Sequence, residues 1–282
     1  YEGWDGALVA CEADARCMRD IAKSRGFATK TLLTRAATRS AVVSAIGSAA
    51  KTLKGGDIFL VSYSGHGGQI PDENGDEPDM QDETWCLYDG QVIDDELAVA
   101  WTEFAPGVRV LVTSDSCHSG SVTRLAYGLS VSGAPHETQA GAGATRGAAP
   151  RYRAMPPEVA VRTYYAHRTM YDRAQEATTK GLTKQVRATV MLISGCHDNQ
   201  LSSDGAFNGL FTARLLQVWN GGRFAGGYRD FVKAIVTKMP PNQVPEYSVI
   251  GAPNPAFEAQ TPFLVSGPSA PRPARRRATR RR

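Results

Sequence analysis

A chain of 282 residues that is 42% hydrophobic and 21% charged can bury a sizeable core, as one large domain or a domain with appendages. No run approaches the ~20 apolar residues of a membrane span. The opening YEGWDGALVACEADAR lacks the charged-then-apolar order of a signal peptide, so a soluble cytoplasmic protein is expected. The formal charge of +4 is misleading, because the tail RPARRRATRRR holds seven arginines and no acid; removing seven charges from +4 leaves −3 for the remainder. Such a tail, residues 266–282, is expected to be disordered and solvated, with nucleic acid or an anionic surface as its possible contact. Nucleic-acid binding as the main role would need basic residues spread over the folded body, where they are not concentrated.

The first third alternates helix and strand signals. EADARCMRDIAKSRGF carries Ala, Met and Ile at helical spacing and stops at Gly26, and SAVVSAIGSAAKTLKGG carries Val42, Val43, Ile46, Ala50 and Leu53 before two glycines. Between them FATKTLLT reads as a short strand. DIFLVSYSGHGG is a nearly continuous apolar run stopped by glycine, which is the pattern of a buried parallel strand. DDELAVAWTEF is helix-like, VRVLVTSDSCHSG and ATVMLISGCHDNQ are two further apolar strands, and GLFTARLLQVWN and YRDFVKAIVTKM are helices before a Pro-rich ending around QVPEYSVIGAPNP. The alternation predicts an α/β fold with a mostly parallel sheet flanked by helices. Residues 124–160, rich in Gly, Ala and Pro, read as a mobile loop or processing segment.

In open parallel sheets, sites form beyond the carboxyl edge of the strands. The three apolar strands end in SYSGHGG, TSDSCHSG and ISGCHDNQ, so histidine and cysteine converge there. The five cysteines (Cys11, Cys17, Cys86, Cys117 and Cys196) include no CxxC pair and fit neither a disulfide framework nor a zinc ribbon. A lone cysteine is usually a small buried hydrophobe. Cys117, however, follows an apolar strand where the chain turns into SGS, a place where backbone N–H groups can face a bound carbonyl. A thiol attacking an amide needs an imidazole that first takes a proton and later protonates the leaving amine. His118 points to the opposite face from Cys117 in extended chain, whereas His66 can face it across the strand ends. Cys196 beside His197 is the rival nucleophile, and a zinc site drawn from these cysteines and histidines has no supporting ligand spacing.

YSGHGG at 63–68 and SDSCHSG at 114–120, about fifty residues apart, resemble the histidine and cysteine motifs of the caspase clan, in the form carried by metacaspases and orthocaspases (peptidase C14). The resemblance extends over ACEADA (10–15), DGQVIDDEL (89–97) and SGCHDNQLSSD (194–204). It implies a caspase-like fold and a cysteine endopeptidase cutting after Arg or Lys through a thioester acyl-enzyme. His66 and Cys117 would form the dyad, and the N–H groups of Gly67 and Cys117 the oxyanion hole. Asp14 and Asp115, with Cys11 and Ser64 beside them, would form the acidic pocket for the residue before the scissile bond (P1). It also implies a monomer acting on protein or peptide substrates, with a large-subunit-like part over 1–123 and a small-subunit-like part over 161–265, the whole domain spanning 1–265.

The acidic stretch DENGDEPDMQDE holds seven carboxylates in twelve residues. In some relatives activating calcium is bound by aspartates matching Asp82, Asp94 and Asp95, which makes calcium an expected cofactor; no organic cofactor is expected. Relatives also have an apolar strand ahead of the ACEADA segment, for which this chain begins too late. Arg124, Arg146, Arg151 and Arg153 are compatible with self-cleavage by an Arg-specific enzyme. The alternative function is a catalytically silent caspase-like module that binds through its loop or basic tail.

Overall fold

The computed structural model describes residues 4–73, 80–117, 151–181, 185–196, 202–205 and 207–265. Four strands form the central sheet: β1 (Ile58–Ser64), β5 (Arg109–Asp115), β7 (Thr189–Ser194) and β9 (Glu246–Gly251), in that spatial order. The first three run parallel and β9 is antiparallel to β7. The small antiparallel sheet β2–β3–β4 (Gly67–Pro71, Gln81–Cys86, Gln91–Ile93) stands beside it, and β6 (Arg151–Tyr152) pairs with β8 (Ser203–Asp204).

The strict alternation of side chains along β5 and β7 builds two cores at once. Leu111, Met191 and Ile193 face one side, where they pack with Met18 and Ile21 of helix α1 (Cys11–Ser24), Phe211 and Leu215 of α6 (Leu210–Trp219) and Phe231 and Ile235 of α7 (Tyr228–Val236). Val110, Val112 and Val190 face the other side, against Ile46 and Ala50 of α2 (Arg39–Thr52) and Trp101 of α3 (Asp94–Thr102). Both faces are therefore covered by helices, which is why these strands read as continuous apolar runs. Helices α4 (Pro157–Ala166) and α5 (Arg168–Gly181) cover the small sheet, with Tyr164 and Tyr171 buried against Ile70 and Ile93.

Three local expectations change. Residues 27–33 form no strand, and a short 3-10 turn follows at Thr34–Ala36. Neither alternate set of FATKTLLT is wholly apolar, so a strand there would have no face to bury, and Ala28, Thr29 and Lys30 are exposed. Among the described residues β1 is accordingly an edge strand, and beside it α1, α2 and residues 27–33 line a groove of about 1030 Å³. The Pro-rich ending contains β9 and a short helix α8 (Pro255–Ala259), whose side chain Phe257 enters the core. Within 124–160, residues 151–160 contain β6 and the start of α4, while the rest of that segment, with Arg124 and Arg146, lies outside the described residues, as do the tail, His118 and His197.

Candidate active site

Parallel pairing of β1 with β5 is in register at Ser64 opposite Asp115, so the chain leaves both strands at the same edge. His66 stands two residues beyond Ser64 and Cys117 two beyond Asp115. The two loops touch so closely that a Cβ on Gly67 would lie 1.5 Å from the Cys117 carbonyl oxygen, an approach only glycine permits. The His66 backbone is clamped through its carbonyl, which accepts from Cys86 N–H (3.0 Å) and Tyr63 O–H (2.7 Å).

The imidazole of His66 is 3% exposed and lies under the Trp4 ring at 4.5 Å between centroids. Its Nε2 is 2.6 Å from the Gly6 carbonyl oxygen, and since a carbonyl can only accept, Nε2 carries the hydrogen and Nδ1 the lone pair in the neutral ring. Burial above all, with a smaller push from Arg153, lowers the imidazole to about 4, against the pull of the Gly6 carbonyl. Cys117 is 1% exposed, and its Sγ accepts the Ser202 N–H at 2.8 Å.

A carbonyl already occupies the gap between the two loops. The Arg153 carbonyl oxygen accepts from Gly67 N–H (2.9 Å) and Cys117 N–H (3.2 Å), the two donors that the resemblance to metacaspases implies. Arg153 N–H donates to Ser202 O (3.0 Å), and the preceding Arg151–Tyr152 pairs antiparallel with Ser203–Asp204. The Arg153 side chain has no solvent exposure and enters the predicted pocket. Its Nη2 meets Asp14 (2.6 Å) and Asp204 (3.1 Å), and its Nη1 meets Asp115 (3.0 Å) and the Ser64 hydroxyl (2.8 Å). Burial opposes its charge, but Asp115 and Asp14 outweigh burial and hold the guanidinium more firmly protonated than usual.

Three carboxylates around one cation need further donors. Asp115 accepts from the Ser202 hydroxyl and from the N–H and hydroxyl of Thr212, in the first turn of α6. Asp14 accepts from Asn208 Nδ2 and Gly209 N–H, and Asp204 from the N–H groups of Val9 and Ala10 at the start of α1. The N-terminal ends of α1 and α6 thus point at the pocket, where backbone donors and helix dipoles favour negative charge. Even so, burial and the neighbouring Asp115 push the Asp14 carboxyl up, with Arg153 pulling it back. Burial chiefly raises the Cys11 thiol to about 12, so it lines the pocket as a neutral group.

The structure therefore brings together His66, Gly67, Cys117, Cys11, Asp14, Ser64 and Asp115. Gly6, Arg153, Asp204, Ser202 and Thr212 were not foreseen as part of it. Asp204 and Ser202 lie inside the quoted SGCHDNQLSSD stretch and Arg153 among the arginines noted for processing; Gly6 acts through its carbonyl, which leaves no trace in a side-chain pattern. Cys196 is fully buried with its Sγ 3.4 Å from Ser116 O, a packing position beneath the site.

Asp82, Asp94 and Asp95 lie apart from this site, on β3 and at the start of α3. Burial first, then Glu83, Asp82 and Asp95, raise the Asp94 carboxyl well above its ordinary value, and its Oδ1 is buried without a hydrogen-bond partner. Asp82 accepts from the Gln175 amide. Among the described residues no three His, Cys, Asp or Glu side chains are placed to share a metal ion.

A profile of the caspase domain family of peptidases (peptidase C14) matches residues 1–262, and the chain belongs to that family. Metacaspase-1 of Mycosarcoma maydis is 31% identical over 244 residues, which is 78% of this chain and 60% of that protein. Metacaspase-1A of Aspergillus fumigatus is 32% identical over 235 residues, 76% of this chain and 57% of the relative. The chain thus spans about 60% of the length of these curated relatives. A solved protein of Geobacter sulfurreducens shares the fold with a TM-score of 0.80 and 55% identity, covering 94% of this chain and 92% of its own.

Two measurements probe the site's stability. Gly67→Ala forces the histidine and cysteine loops apart, and urea denaturation is expected to show a loss of about 1–3 kcal/mol. His66 takes up a proton near pH 6.5 when unfolded and near 4 when folded, so stability rises with pH across that window and is lost as pH falls from about 6.5 to about 4. The span amounts to about 3 kcal/mol, and His66→Gln is expected to flatten it in denaturant titrations across those pH values.

Proposed function

We propose that the protein is a cysteine endopeptidase that cuts after arginine, and more slowly after lysine, using Cys117 as nucleophile and His66 as general base and acid. The observation that carries this reading is the pair of N–H groups from Gly67 and Cys117 on one carbonyl oxygen, beside a buried pocket that holds a guanidinium. In the reaction Sγ attacks the carbonyl carbon, and the developing oxyanion takes those two N–H bonds, which strengthen as charge grows. His66 Nδ1 accepts the thiol proton and delivers it to the leaving amine, while the Gly6 carbonyl holds the ring in orientation through Nε2. Water then opens the thioester by the same route in reverse, releasing a carboxylate. Asp14 and Asp115, with Cys11 and Ser64, form the P1 pocket.

The pocket chemistry favours arginine. The two terminal nitrogens of the fork reach different carboxylates, Nη2 to Asp14 and Asp204 and Nη1 to Asp115, whereas a lysine offers one compact cation that cannot span them. Fluorogenic peptides ending in Arg, Lys or Asp are the direct test. The expected order is Arg above Lys, with no cleavage after Asp, all activity lost in Cys117→Ala. Cleavage after Asp, or full activity in Cys117→Ala, would overturn the reading.

Calcium is proposed beside Asp94, with Asp82 and Asp95 drawn in on binding, since the three carboxylates are not placed to share an ion as they stand. The donors are carboxylate oxygens suited to a hard cation, and the buried Asp94 Oδ1 is the oxygen that gains most from one. Bound there, the ion would supply positive charge against the mutual repulsion of these acids. Calcium is expected to raise the melting temperature of the wild-type protein and to lose that effect in Asp94→Asn. Self-processing belongs to the same reading, as does a monomer acting on protein substrates in the cytoplasm. Contact of the Arg-rich tail with nucleic acid or an anionic surface is a separate proposal. Among the described residues no helix is long and apolar enough to cross a membrane.

A further inference from the structure

We infer that residues 151–155 are a substrate bound in place, that the Arg153–Ala154 bond is the one this chain cuts in itself, and that Arg153 keeps the pocket closed to other substrates until it leaves. The inference rests on the peptidase reading above and names the bond and its control.

Five features of the segment coincide. Its backbone is extended and pairs antiparallel with Ser203–Asp204, the manner in which a peptide adds to an exposed strand edge. Arg153 N–H is held by Ser202 O, and its carbonyl oxygen lies on the N–H groups of Gly67 and Cys117. The side chain fills the acidic pocket with no exposure. Beyond the carbonyl, Ala154 bridges to Gly67 and Met155 N–H donates to Gly67 O at 2.7 Å, so the chain is gripped on both sides of one peptide bond. Arg151, by contrast, sends Nη1 to the Ala7 carbonyl at the surface and meets no carboxylate among the described residues.

Asp204 has a double part. It takes its place in β8, beside the bound segment, and contributes the third carboxylate on the guanidinium, so the strand that aligns the backbone also reads the side chain. It is thus a specificity residue in addition to Asp14 and Asp115.

The step balances without a co-reactant other than water. Sγ bonds to the Arg153 carbonyl carbon, the bond to the Ala154 nitrogen breaks, and that nitrogen leaves as an amine carrying the former thiol proton through His66. Water hydrolyses the thioester, leaving the Arg153 carboxylate and restoring the thiol.

The test uses the full chain. Purified wild type is incubated and analysed by intact mass and N-terminal sequencing, with Cys117→Ala as the uncut control. A new N-terminus at Ala154 is expected, appearing with first-order kinetics that do not change on dilution, because the bond is held within its own molecule. Arg151→Gln is expected to leave the cut at Ala154. Arg153→Gln removes it and, with the pocket vacated, raises hydrolysis of an added Arg peptide by about tenfold or more. Because Arg153→Gln strands three buried carboxylates at a cost to folding, Arg153→Lys serves as second variant and is expected to be cut at the same bond at least about tenfold more slowly. Cleavage at Arg124, Arg146 or Arg151 with the Arg153–Ala154 bond intact in a protein that hydrolyses Arg peptides would overturn this inference and leave the peptidase reading standing, as would a cut at Ala154 whose rate falls on dilution. Absence of Arg-peptide hydrolysis by folded wild type and by both Arg153 variants would instead overturn the peptidase reading and this inference with it.

Discussion

The parallel register of β1 and β5 is the constraint on which the rest depends. With Ser64 opposite Asp115, two loops of unrelated sequence position emerge side by side, one carrying His66 and Gly67, the other Cys117. A slip of one residue would turn every side chain of one strand to the opposite face and bury the wrong set. The register is held because Leu111 must enter one core while Val110 and Val112 enter the other. Core packing on both faces of the sheet thus brings the loops so close that a Cβ at position 67 would lie 1.5 Å from the Cys117 carbonyl oxygen, which makes Gly67 obligatory.

The second organising element is electrostatic. Asp14, Asp115 and Asp204 come from α1, β5 and β8, elements remote in the chain, and their mutual repulsion in a buried place is costly unless offset. The N-terminal ends of two helices, the hydroxyls of Ser202 and Thr212, and the Arg153 guanidinium supply the offset. Removing the guanidinium would leave three buried carboxylates without their cation, which makes an empty site costly. The same physics gives the segment around Arg153 its hold on the site.

Most of the architecture was legible from pattern. The three apolar strands, α1 with its stop at Gly26, α2, α3 and the two late helices announce themselves through periodicity and glycine breaks. The FATKTLLT segment was misread because β propensity says nothing of whether a face is available to bury. Strand β9 went unseen because EYSVIG lies between proline-rich turns, and only its pairing with β7 makes it a strand. The short strands β6 and β8 have two residues each, below the length at which alternation carries a signal.

The sequence by itself determined the chemical cast: a cysteine and a histidine at the ends of apolar strands, glycine beside the histidine and, through the resemblance to metacaspases, aspartates at 14 and 115. Those are side-chain identities tied to local pattern, and local pattern is readable in one dimension. Only the tertiary structure decided that one carbonyl lies between the two loops and that it belongs to Arg153, that Gly6 orients the imidazole, and that Asp204 is the third acid of the pocket. Backbone carbonyls carry no residue signature, and the carboxylates converge through strand pairing and helix docking across up to 190 positions of chain. Their meeting is a property of packing in three dimensions, where sequence distance sets no limit on contact.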